Sequence, residues 1–110
     1  MALSVLAFFN VSRNLCGNDR VTEELSPDGQ LKLVVFRRDC GATTGDSTQI
    51  SVLRADQPLP NEAGNVLIVA GEPALTARWR DRRQINISRL GVTKVFKREP
   101  KVKDVKISYE

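Results

Sequence analysis

From Arg20 onward the apolar residues recur at every second position, and this period-two pattern constrains the fold more than any other feature of the chain. Side chains that alternate in this way point to opposite faces of an extended backbone, so they are buried by a sheet and not by a helix. Leu31-Lys32-Leu33-Val34-Val35-Phe36-Arg37 is rich in β-branched residues and apolar on both faces at its centre, which predicts a central strand covered on both sides. Thr48 to Arg54 reads as the next strand, with Ile50 and Val52 inward, and Asn65 to Ala70 as a short, continuously apolar one. Leu75 to Arg80 and Gln84 to Arg89 flank Asp81-Arg82-Arg83 as a hairpin. Leu75, Ala77, Trp79, Ile85 and Ile87 would then face the core. Val92 to Phe96 and Val102 to Tyr109 complete the sheet. Ser26-Pro27-Asp28-Gly29 is a turn, because proline presets φ and glycine accepts the positive φ that follows. Asp56 to Gly64, with Pro58 and Pro60, is a long connection. Short strands at regular spacing predict an all-β domain, with room for one short N-terminal helix. The expected architecture is a single antiparallel sandwich, roll or small barrel of six to eight strands.

At 110 residues the chain holds one modest core. Residues 1–15 read as an apolar N-terminal segment and residues 16–110 as the β domain. The run Ala2 to Phe9 would reach only about 12 Å as a helix, against a hydrocarbon core of about 30 Å, so it does not span a bilayer. It reads as a helix or strand that packs on the domain or on a second copy, or as a degenerate export or anchoring segment. No Lys or Arg precedes it and no small-residue cleavage site follows it. Left unpacked, such a segment favours self-association.

The chain contains no histidine, which removes Ser-His-Asp and Cys-His nucleophilic mechanisms and His-ligated metal sites. Its two cysteines are too few for a four-cysteine zinc site. Cys16 and Cys40, each followed by glycine, are expected to form a disulfide, two unrelated thiols being the alternative. No carboxylate pair is fixed at a working distance by the sequence. Neither a cofactor nor enzymatic activity is expected, although weak activity on an anionic substrate stays open.

Two stretches are candidate binding sites. Gly41 to Thr48 has the small residues and hydroxyls that could cradle an anion, with Thr43, Thr44, Asp46 and Ser47 as its polar members. It lacks the lysine and following helix of a phosphate loop, so it reads first as a loop whose hydroxyls bond local backbone. The second stretch is basic. The formal net charge is +4, yet Arg78 to Lys106 holds eleven basic residues against Asp81, Glu99 and Asp104. With Trp79 inward, Arg78 and Arg80 share the outer face, and Arg82, Arg83 and Arg89 can join them. Lys94, Lys97, Arg98, Lys101, Lys103 and Lys106 would extend the surface. It reads first as a solvated basic face that discourages edge-to-edge pairing, and as a binding surface it suits nucleic acid, anionic lipid or an acidic protein. Phe36, Trp79, Phe96 and Tyr109 all fall on expected core faces, which leaves nucleic acid no stacking platform and places it second.

Ser26-Pro27-Asp28-Gly29, the strand Leu31 to Arg38 and the string Asp39-Cys40-Gly41-Ala42-Thr43-Thr44-Gly45 resemble segments of a group of small uncharacterised bacterial envelope and lipoprotein-like proteins. Cys16-Gly17-Asn18 is similar to the stretch that ends their export segments, and the likeness covers most of residues 16–109. The resemblance implies an envelope-associated β domain, periplasmic or at the cell surface, with no catalytic residues to carry over. The expected function is a non-enzymatic interaction or binding module. The alternative is a cytoplasmic nucleic-acid or acidic-partner binder that uses the basic 78–106 segment.

Overall fold

The computed structural model describes residues 16–41, 45–91 and 94–110, so the N-terminal segment 1–15 lies outside the described residues. Among the described residues nine strands form two sheets and no helix occurs. The first sheet runs β1 (Gly17–Leu25), β2 (Leu31–Asp39), β3 (Asp46–Arg54), β4 (Leu67–Ala70) and β7 (Val95–Arg98), in that order. The second runs β5 (Ala74–Asp81), β6 (Gln84–Leu90), β9 (Val105–Tyr109) and β8 (Lys101–Val102). The all-β sandwich expected from the alternation is present.

The alternation also explains the core. Leu31, Leu33, Val35, Ile50, Val52, Leu67 and Val69 project from the first sheet onto Ile85, Ile87, Val105 and Ile107 of the second. Burying one such side chain contributes about 1.5–3 kcal/mol, so this layer is the main source of stability. The intervening residues of β2 face the other way, where Val34 and Phe36 join Leu53 under Leu59 of the 55–66 connection. All of Leu31 to Phe36 is therefore buried, as a strand apolar on both faces requires.

The connection acts as a strap across the outer face. Asn65 imitates a strand residue: its Oδ1 accepts from Val52 N at 2.8 Å and its Nδ2 donates to Val52 O at 2.9 Å. Asn18 Nδ2 donates to the carbonyls of Pro60 and Glu62, both at 3.0 Å. Gly64 lets the strap approach β3, because a Cβ there would sit 2.7 Å from Ile50 O.

Four expectations need correction. The stretch Val102 to Tyr109 is not one strand; it breaks at Lys103-Asp104 into β8 and β9, which takes the count past eight. One pairing is parallel, β6 with β9, because the chain leaves the second sheet to form β7 and returns before β9. Phe96 is 58% exposed. It sits where the β4–β7 register shifts, and the shift breaks the alternation that assigned it to the core. Arg89 does not share the outer face, since it pairs with Leu75 and stacks over the Tyr109 ring at 5.3 Å.

Candidate functional site

Three turns, far apart in sequence, meet at one end of the sandwich. The β1–β2 turn is fixed by Ser26 and Asp28: Ser26 Oγ donates to Asp28 Oδ1 at 2.7 Å, and Gln30 N donates to the same oxygen at 3.1 Å. Gly29 closes the turn at φ 72°, a conformation that suits glycine. The β5–β6 turn is Asp81 to Gln84, where Arg83 N donates to Asp81 Oδ1 at 2.8 Å. Arg80 is bulged between the pairs Trp79–Ile85 and Asp81–Gln84. The third turn joins β8 to β9 through Lys103 and Asp104, both left-handed at φ 50° and 62°. Two consecutive left-handed residues match the strand twist of a tight hairpin, but they usually involve Asn or Gly.

Arg83 ties the three turns together. Its Nη1 lies 3.2 Å from Asp28 Oδ2 across the two sheets, and its carbonyl accepts from Lys106 N at 2.9 Å. Hydrogen bonds from Ser26 and from the Gln30 amide, assisted by the Arg83 charge, hold the Asp28 carboxyl below its usual range. Between the turns lies an open groove of about 790 Å³, lined by Pro27 and Gln84 together with Arg80, Asp81, Arg82 and Lys106. Arg80, Arg82 and Lys106 are exposed, and none forms an ion pair among the described residues.

The four arginines singled out from sequence thus have different employment. Arg80 and Arg82 line the groove with no ion pair among the described residues. Arg83 is a structural tie. Arg78 stands outside the groove, where its Nε donates to Glu24 Oε2 at 3.1 Å. Glu24 also accepts from Trp79 N at 3.0 Å, and its carbonyl accepts from the Trp79 indole at 2.9 Å. Arg78 and Trp79 therefore latch the edge of the second sheet onto β1. The basic segment does not form one face. Lys94 lies over Phe96, while Lys97 and Arg98 belong to β7 in the first sheet and Arg98 stacks on Tyr109 at 4.5 Å.

The other candidate loop lies at the opposite end, since β2 runs its nine residues, about 30 Å, between the two. Thr43 and Thr44 fall outside the described residues. Asp46 is exposed opposite Asp39, and Ser47 Oγ donates to Arg38 O at 3.3 Å. Cys16 and Cys40 form the expected disulfide at the foot of this loop. Such bonds persist in oxidising compartments, which suggests an extracytoplasmic setting. No helix among the described residues is long and apolar enough to cross a membrane.

Sequence reading placed Lys106 on the basic surface but missed Asp28 and Asp104 as groove residues. The outward position of Lys106 between Val105 and Ile107 was a usable signal; its neighbours across the groove were not. No family model, curated protein or solved structure matches the chain.

Proposed function

We propose that the chain is a non-enzymatic interaction module of the bacterial cell envelope, and that it engages an acidic protein segment in the groove between the three turns. One observation carries this reading: Arg80, Arg82 and Lys106 converge on an open groove with no ion-pair partner among the described residues. Exposed cations held on rigid hairpins attract and orient an anionic partner. The disulfide and the likeness of the Asp-Cys-Gly-Ala-Thr-Thr-Gly string to envelope proteins support the location.

The test is titration of a glutamate-containing synthetic peptide into the protein and into Arg80→Glu/Arg82→Glu. The double reversal is expected to weaken binding at least tenfold, because like charges then face each other. Equal affinity for both proteins removes the groove as the binding surface.

A second reading, nucleic-acid binding, draws on Phe96, exposed at 58% with the Lys94 ammonium 5.1 Å from its ring centre. An exposed aromatic beside a cation is a stacking platform for a base. Retention of a single-stranded oligonucleotide that Phe96→Ala abolishes would favour this reading over the first.

A further inference from the structure

The groove's carboxylates are as informative as its cations. Arg83 and Asp28 pair with each other, so they add no net charge to the groove. What is left is Arg80, Arg82 and Lys106 against Asp81 and Asp104, and the signs alternate along both rims. On the β5–β6 rim the order is Arg80, Asp81, Arg82. On the β8–β9 rim Asp104 stands two residues before Lys106. A contiguous polyanion laid in this groove would set some of its charges against Asp81 and Asp104.

The backbone of the second rim adds an independent observation. Lys103 and Asp104 hold the two left-handed conformations that a two-residue hairpin requires, at φ 50° and 62°, and aspartate tolerates the second of them. The turn thereby presents the Asp104 carboxylate, 90% exposed at its side chain, whose one ion-pair partner among the described residues is Lys101 at 3.9 Å.

Resting on the groove reading above, we infer that the groove selects an extended peptide of mixed charge, with carboxylates facing Arg80, Arg82 and Lys106 and cationic side chains facing Asp81 and Asp104. Alternate side chains of an extended strand stand on one face about 6.8 Å apart, a spacing that lets opposite charges follow one another along a single face. Phosphodiester chains and sulfated glycans carry charge of one sign only, and the two aspartates discriminate against them. This is specificity by repulsion as well as by attraction.

The experiment compares two synthetic peptides of equal length. One is glutamate throughout; the other alternates glutamate and lysine on the same strand face. Both are titrated into the wild-type chain and into Asp81→Asn/Asp104→Asn, and retention on heparin is recorded for each protein. Asparagine keeps an oxygen to accept from Arg83 N and tolerates positive φ, so the variant retains both turns. The wild type is expected to prefer the mixed peptide by about tenfold, and the variant to lose that preference and elute from heparin at higher salt. A wild type that prefers the all-glutamate peptide, or a variant with unchanged preference, overturns the inference. Arg80→Glu/Arg82→Glu separates the two levels. If it abolishes binding while the aspartate variant leaves the preference intact, the groove stands and the selectivity falls. If neither peptide binds the wild type, both fall.

Discussion

The two ends of the sandwich are built from similar residues and dispose of them in opposite ways. At the disulfide end several polar groups pair with one another. Arg38 Nη1 donates to Asn18 at 2.8 Å and to Asn61 at 2.9 Å, Arg37 meets Glu72 at 2.9 Å, and Thr48 donates to Gly71 O at 2.7 Å. Cys16–Cys40 closes the same end covalently. At the groove end Arg83–Asp28 and the Lys106 N bond to Arg83 O hold the turns, while Arg80, Arg82 and Lys106 stay without ion pairs among the described residues. One end is assembled for closure. The other leaves charge available and holds a lysine, Lys103, in a left-handed conformation.

Removing the disulfide should break this contrast most severely. In the chain-entropy view a bridge spanning 24 residues contributes about 3 kcal/mol, so Cys16→Ser/Cys40→Ser should lower Tm by about 10 °C or more. Peptide binding below the melting range should be unchanged, because the groove lies at the far end. A thermal melt paired with a titration checks both parts; weaker binding in the variant would mean that the two ends are coupled. The next largest effect belongs to the strap. A methyl group at Gly64 would meet Ile50 O at 2.7 Å and Gln49 Cβ at 3.1 Å, contacts that backbone cannot relax cheaply. Gly64→Ala should cost about 1–3 kcal/mol in urea unfolding, again with the groove unaffected.

Most of the closed, sheet-forming part was legible in the sequence, and most of the groove was not. Strand β2 could be read directly, because a run apolar on both faces has only one place to go. Ile50, Val52, Leu75, Trp79, Ile85 and Ile87 follow from parity alone. Arg89 was legible too, since it shares the parity of Ile85 and Ile87, and its inward pairing with Leu75 is what strict alternation demands. Phe96 was not, because a register shift leaves no trace in residue type. The β8–β9 hairpin was hidden for a different reason: Lys103-Asp104 carries none of the glycine or asparagine that signals two left-handed residues. The groove itself needs Asp28, Asp81 and Asp104 to meet across the two sheets. Local patterns say nothing about which turns share an end.

The hidden turn provides a smaller and sharper test. Asparagine tolerates the left-handed region better than lysine, so Lys103→Asn should raise stability by about 0.5–1 kcal/mol, measured by urea unfolding. The gain would show that the wild-type residue is held against its own preference. No gain would mean that the turn is unstrained at Lys103.

The smallest expected effect distinguishes the two ends by pH. Asp28 is held below its ordinary value of 3.8, first by the Ser26 hydroxyl, then by the Gln30 amide and the Arg83 charge. A carboxylate with a depressed folded pKa adds stability above its unfolded value, and that contribution disappears as pH falls through the folded value. The loss therefore begins below about pH 4 and is absent at neutral pH. The disulfide at the other end does not titrate across this range. Asp28→Asn keeps an oxygen for Ser26 and Gln30 but has no charge for Arg83. Its stability should fall less than the wild type's between about pH 4 and pH 2, while the disulfide variant should keep the wild-type slope at a lower overall level. Urea unfolding at several pH values reads both slopes. If Asp28→Asn retains the full wild-type acid sensitivity, the Arg83–Asp28 tie contributes nothing measurable and the groove end is held by backbone bonds alone.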